Sequence, residues 1–256
     1  MLQITFLGTG TSQGIPMIAC PCPICQSTNS KDKRLRSSVM IECDGQNLVI
    51  DTGPDFRTQM LREHVKTLNA ILFTHQHKDH TACLDDVRAF NHFMKMPMPV
   101  YGSAHCLAAV KHDFEYVFSG NKYPGIPEIN LHEISKNNLF EVCGLKIIPI
   151  EVLHYKLPVM GYRIGDFTYI TDANFIEEKE LEKIKGSKIL VLNALRKEHH
   201  VSHFTLDEAI AIAQKIGAEK TYFTHISHQL GLHDEVSKEL PPNIFLAYDG
   251  LKISLE

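Results

Sequence analysis

The sequence predicts an α/β (α+β) fold in which two sheets are sandwiched between helices, and three observations predict it. Strand-like segments come first and mixed strands and helices follow, an order that runs through the chain twice. Turn residues such as Asp44-Gly45 and Gly144 bound runs rich in Ile, Val, Phe and Leu. Histidine and aspartate groups follow directly on several of these runs, where a rigid sheet can aim them.

Strands are expected over 2–7, 38–43, 47–50 and 69–73 in the first half, and over 145–152, 167–170, 188–192, 220–223 and 244–247 in the second. Each is short, apolar and rich in residues that suit a pleated surface. Apolar residues at helical spacing predict helices over 56–65, 81–93, 104–117, 177–185 and 206–216. The last has a start signal: Thr205 is placed to cap it, and Glu208 three residues on completes a capping box.

At 256 residues, with 44% hydrophobic and 22% charged residues, the chain suits one globular domain with a large core. A net charge of −4 predicts no general pull toward nucleic acid. The opening Met1-Leu2-Gln3-Ile4-Thr5-Phe6 reads as a strand and lacks the basic head of a secretory signal. No segment approaches the roughly 18 apolar residues that span a bilayer. Seven cysteines, an odd number, argue against a fully paired disulfide framework and for a reducing, cytoplasmic location. The stretch 14–38 lacks periodicity and is too long for an idle loop.

Histidine is the outlier, with 15 copies. The strand expected over 69–73 leads into His75-Gln76-His77-Lys78-Asp79-His80, which places four potential ligands within six residues. An H-x-H pair in extended backbone points both rings the same way, because side chains alternate with period two. A turn after Lys78 then directs Asp79 and His80 toward a second ion. Two metals about 3.5–4 Å apart can share and activate one water.

This motif resembles the signature of the metallo-β-lactamase superfamily. The later ligands of that family have counterparts in order, each just after a strand: His154, Asp172 and His225. Asp51-Thr52-Gly53 matches the place where the family's aspartate braces the metal loop. The resemblance implies a four-layer αββα sandwich, a single hydrolase domain over 1–256 with a zinc-binding excursion at about 14–38. It implies two divalent ions, Zn or Mn: His75, His77 and His154 hold the first, Asp79, His80 and His225 the second, and Asp172 bridges them. One departure is Cys83, where the family usually has glycine, and a slightly altered helix start is expected there.

Cys20-Pro21-Cys22-Pro23-Ile24-Cys25 packs three thiols into six residues. Closed tetrahedral zinc sites want four ligands, and His228, three residues after His225, is the natural fourth. With the opening Gly8-Thr9-Gly10-Thr11-Ser12-Gln13-Gly14 and the late Tyr248-Asp249-Gly250, this cluster resembles the PhnP-like branch. That branch acts on cyclic phosphate esters, with manganese or zinc in the active site and zinc in a structural site. The resemblance assigns catalytic roles to Asp79 and to His203, which precedes the last helix. His203 is expected to protonate the leaving alkoxide or to steady the phosphoryl oxygens.

Arg88 is a candidate phosphate contact, with pairing to the acidic residues beside it as the alternative. His199 and His200 are expected to be solvent-exposed, and Cys43, Cys83, Cys106 and Cys143 to act as small core hydrophobes. The expected partners are a small phosphodiester substrate and a second copy in a homodimer, with neither membrane nor nucleic acid. Competing readings are tRNA 3′-end processing, thioester or lactam hydrolysis, and a non-catalytic metal-binding carrier related to pyrroloquinoline quinone pathway proteins. No basic arm for gripping tRNA is visible.

Overall fold

Alternation along the strands sorts the apolar residues into three cores and so sets the layers. A computed structural model of the protein describes residues 1–120 and 123–256. Among these, one sheet contains β1 (Leu2–Gly8), β2 (Ser38–Cys43), β3 (Gln46–Ile50), β4 (Ala70–Leu72), β5 (Met98–Gly102) and β6 (Ile129–Glu133). The other contains β7 (Phe140–Val142), β8 (Leu145–His154), β9 (Leu157–Ile164), β10 (Phe167–Tyr169), β11 (Phe175–Ile176), β12 (Ile189–Asn193), β13 (Lys220–Thr224) and β14 (Ile244–Leu246). The final strand β15 (Lys252–Leu255) returns to pair with β1 in the first sheet.

Residues of one parity face inward. Ile4, Phe6, Val39, Ile41, Leu48 and Ile50 meet Ile147, Tyr162, Phe167, Tyr169 and Val191 between the sheets. Residues of the other parity face out. Met40, Val49 and Ile71 pack under helices Phe56–Arg62 and Ala104–Asp113, while Val152, Leu190 and Leu192 pack under Glu178–Ile184 and Leu206–Ile216. This is the four-layer αββα arrangement. Strands β3 through β6 run parallel, as do β10, β12, β13 and β14. Parallel strands with helices on one face leave their carboxyl ends open for a site. Asp51, Asp172 and His225 lie just beyond the ends of β3, β10 and β13.

Thr205 caps the helix Leu206–Ile216 and the reciprocal bond from Glu208 is present. The helix expected over 81–93 is instead broken into Lys78–Thr81, a 3₁₀ turn Leu84–Val87 and Arg88–Met94. The break falls at Cys83, whose N–H donates to the Thr52 carbonyl and so leaves the helical ladder. The helix expected over 104–117 divides at Phe114. Strand β8 runs on to His154 because it closes a hairpin with β9, so this histidine ends a strand instead of following one. Strands β5, β6, β7, β9, β11 and β15 lie outside the expected ones. Pro99 interrupts the first, β6 is mostly polar, and Pro158 and Gly161 break the apolar run of β9.

Candidate metal centre

Asp51 is fully buried and organises one side of the centre. Its Oδ1 accepts the Thr74 N–H at 2.8 Å, and its Oδ2 accepts the Thr74 hydroxyl at 2.8 Å and His80 Nδ1–H at 2.7 Å. The Thr74 hydroxyl in turn accepts from His75 Nδ1 at 3.0 Å. Both rings therefore carry hydrogen on Nδ1 and turn Nε2 into the site, the usual device for orienting a ligating imidazole. His75 Nε2 lies 3.0 Å from His77 Nδ1. Gly53 permits the fold here, since a Cβ would meet the Asp79 carbonyl oxygen at 2.0 Å.

Opposite, His154 Nδ1 donates to the Ser202 carbonyl at 2.8 Å, which leaves its Nε2 facing inward. Asn193, at the end of β12, clamps the backbone of Ala173 through two hydrogen bonds and so sets Asp172. Asp51, Asp172 and His225 each adopt left-handed backbone, with φ of 66°, 54° and 55°. Non-glycine residues in this region hold some strain and concentrate at functional sites.

Possible ligand atoms of Asp79, His80, Asp172 and His225 lie within 4.8 Å of one another, and so do those of His154, Asp172 and His203. Asp172 belongs to both groups. Its Oδ2 lies 3.2 Å from His80 Nε2 and its Oδ1 lies 3.2 Å from His225 Nε2. The His154 ring stands 5.8 Å from that of His75 and 5.3 Å from that of His77. His203 lies among the ligands, its ring 4.5 Å from that of His154 and 4.9 Å from that of His225.

Charge follows from this crowding. Burial opposes a charge on His80, but Asp79, Asp172 and Asp51 outweigh it and raise its pKa well above the ordinary value. Burial likewise opposes the Asp172 carboxylate, but His225 and His80 hold its pKa well below the usual range. Burial lowers the pKa of His75, His77 and His225, and pushes that of His203 down to about 3. His225 Nδ1 and His203 Nδ1 are buried without a hydrogen-bond partner, while His80 Nε2 lies 3.1 Å from Asp79 Oδ2. Buried imidazole nitrogens gathered around the Asp79 and Asp172 carboxylates form a donor set that fits divalent cations.

The three thiols of the excursion meet His228. Cys22 Sγ and Cys20 Sγ lie 3.3 and 3.5 Å from its Nδ1, and all four residues cluster within 4.8 Å. Backbone N–H groups of Met17 and Cys25 point at the sulfurs of Cys25 and Cys22. The His228 contact draws the Cys22 thiol down to about 6, while burial pushes Cys25 up to about 11. Four ligands of this kind suit tetrahedral zinc. Sequence reasoning missed the buried group beneath this turn. Arg34 binds the Thr9 hydroxyl, the Ala247 carbonyl and His233 Nδ1, Thr9 binds Asp249, and Asp32 accepts the His233 N–H. Thr9 also pairs through its carbonyl with Ile226, between the two histidines of the turn.

Arg88 is not brought to the centre. One helical turn places its guanidinium on Asp85, and it lines a cavity with Asn91, His92 and Phe93. His199 is exposed as expected, but His200 is half-buried, its ring 5.1 Å from His203. His233 is buried. Of the four remaining cysteines only Cys106 is fully buried; Cys43, Cys83 and Cys143 are partly exposed.

The solved structure of a new diphosphatase from the PhnP family is 41% identical, with a TM-score of 0.93, covering 100% of this chain and 98% of its own. A family profile described as Beta-lactamase superfamily domain matches residues 46–226. The chain belongs to the PhnP family of the metallo-β-lactamase superfamily. An octanoyltransferase of Porphyromonas gingivalis is 37% identical over all of this PhnP-family chain, which spans 52% of that protein's length. A ribonuclease Z of Methanopyrus kandleri is 23% identical, over 98% of this chain and 97% of its own. No helix among the described residues is long and apolar enough to cross a membrane.

Proposed function

We propose that this metallo-β-lactamase-fold hydrolase acts with two divalent ions, zinc or manganese, on small molecules whose phosphorus bears two bridging oxygens. The substrates are phosphate diesters, cyclic ones included, and diphosphate-linked compounds. The observation that carries this reading is His203, an imidazole stacked on His225 and tilted against His154 at the seam of the two ligand groups. Neither a lactam nor a thioester needs it. The 41% identity to a protein called a diphosphatase supports the same chemistry.

Divalent ions, when bound, supply Lewis acidity and an activated water for attack on phosphorus. His75, His77 and His154 would hold one ion, Asp79, His80 and His225 the other, and Asp172, which belongs to both neighbourhoods, would bridge. The chain's own part is orientation: Asp51 and Ser202 fix which nitrogen of His80 and His154 faces inward. Burial holds His203 neutral near pH 7. That favours donation of a hydrogen bond to the phosphoryl oxygens over delivery of a proton to the leaving group. A structural zinc on Cys20, Cys22, Cys25 and His228 completes the reading.

The metal-loaded protein is to be assayed against bis(p-nitrophenyl) phosphate, a cyclic nucleotide, ADP-ribose, a lactam, a thioester and precursor tRNA. His203→Ala should lower turnover of the phosphate substrates by about 10²–10⁴-fold without altering metal content. As a hydrogen-bond donor, His203 should matter equally for good and poor leaving groups; a loss confined to poor ones would make it the acid. Activity on the lactam or thioester alone removes the proposal, and activity on precursor tRNA alone favours the ribonuclease Z reading.

A further inference from the structure

The reaction above uses neither His200, whose ring stands 5.1 Å from that of His203, nor Lys156, two residues past His154 in the turn between β8 and β9. The Ser202 N–H points at His200 Nδ1 at 3.3 Å, so this nitrogen is the acceptor and the neutral ring carries its hydrogen on Nε2. Among the described residues no protein atom accepts from that Nε2–H. The Ser202 carbonyl meanwhile receives His154 Nδ1–H. One residue thus orients a candidate metal ligand on one side and a free donor on the other.

Lys156 lies two residues beyond His154 in the hairpin turn, with its ammonium 5.3 Å from the centre of the Tyr155 ring. Other cations near the motifs are committed: Lys78 to Asp113, Arg88 to Asp85, Lys197 to Glu239. Arg196 binds Gln229 and two carbonyls. Lys156 has no carboxylate partner among the described residues. Asn174 joins the two segments, since its Oδ1 accepts the Tyr155 N–H at 2.7 Å and its Nδ2 donates to the Val201 carbonyl at 3.2 Å. The turn bearing Lys156 and the loop bearing His200 are therefore fastened together on the His154 side of the centre.

We propose that the Lys156 ammonium and the His200 Nε2–H form a subsite for a second phosphoryl group of the substrate, next to the one attacked. A cation with no carboxylate partner and a neutral N–H with no acceptor among the described residues suit an anionic oxygen cluster. The inference rests on the phosphohydrolase reading and narrows it: substrates with two phosphoryl groups in tandem are preferred to simple diesters.

The test compares Lys156→Ala and His200→Ala with the unaltered, metal-loaded protein on ADP-ribose and on bis(p-nitrophenyl) phosphate, which has a single phosphoryl group. Each substitution should lower kcat/KM for ADP-ribose by about 10–100-fold, as loss of a hydrogen bond to a charged group does. The loss on bis(p-nitrophenyl) phosphate should stay within about threefold, far short of what such a bond supplies. His200→Gln, which keeps a donor at similar reach, should restore part of the difference. Equal losses on both substrates would mean that His200 only supports Ser202 and His154, and would overturn the subsite; so would no loss on either.

Calorimetric binding of methylenediphosphonate and methylphosphonate gives a readout independent of turnover. Both variants should weaken the first selectively. If the unaltered protein hydrolyses no phosphate compound, the phosphohydrolase reading fails by itself. The subsite then stands if the selective weakening is seen and falls if it is not.

Discussion

Replacing Asp51 by Asn should detach metal affinity from fold. The carboxylate is fully buried, and its Oδ2 accepts from both the Thr74 hydroxyl and His80 Nδ1. An amide of the same shape puts an NH₂ group where one oxygen stood. If its remaining oxygen stays with the Thr74 N–H, the NH₂ faces His80. The imidazole then relaxes by moving its hydrogen to Nε2, the nitrogen that faces Asp79 and Asp172. A ring in that tautomer offers no lone pair to a cation. Loss of such a partner costs about 10–100-fold in metal affinity, or about 1.4–2.7 kcal/mol. The thiolate site is organised by other residues and should keep its ion. Competition against a graded series of chelators, read by elemental analysis, measures both sites in one sample. Unchanged affinity at the histidine–aspartate centre would refute the tautomer argument, and parallel weakening of both sites would reduce Asp51 to a packing role.

Cys22→Ser should release one zinc per chain and lower the melting midpoint by about 10 °C or more, because structural zinc contributes folding free energy directly; calorimetry with zinc analysis checks it. Asp249 gives a pH signature. Burial raises its pKa from 3.8 to about 6, so the fold favours the neutral acid. Its contribution is fully present below about pH 4 and is lost as pH rises through about 6. Asp249→Asn imitates the neutral form and does not titrate. The midpoint of the variant relative to the unaltered protein should therefore climb between pH 4 and 6 and then level off. A flat difference across that window would show that the carboxyl is ionised in the fold throughout. Gly53→Ala, which drives a Cβ toward the Asp79 carbonyl oxygen, should displace the signature turn and abolish metal uptake at the centre while the thiolate site survives; elemental analysis checks both.

The layers and the ligand groups were legible for different reasons. His75 through His80 stand together in sequence, and the later candidates each follow a strongly apolar run, so position carried the reading. The αββα order showed in the succession of strands and helices. Strands such as β6 and β9 were obscured because polar residues, Pro158 and Gly161 hide the alternation that partner strands impose in the fold. Arg88 offered a charge in the right stretch, but helical spacing gave it to Asp85. The groups that position the ligands were invisible for a further reason. Ser202 acts through its carbonyl and Asn174 through contacts with two loops, and Arg34 meets His233 only after the chain has crossed both sheets. Backbone chemistry and distant pairing leave no local pattern.

The left-handed backbone at Asp51, Asp172 and His225 narrows the vocabulary available to anyone who edits this centre. A replacement there must satisfy the turn before it satisfies the chemistry. Asparagine tolerates that conformation about as well as aspartate, whereas a β-branched residue does not. Asn at 51 or 172 therefore silences a carboxylate while keeping the path of the chain, and Val or Thr at the same place would bend the strand end as well. Knockouts of the second kind would confuse lost ligation with a rebuilt turn, so only the first kind reports on the metal alone.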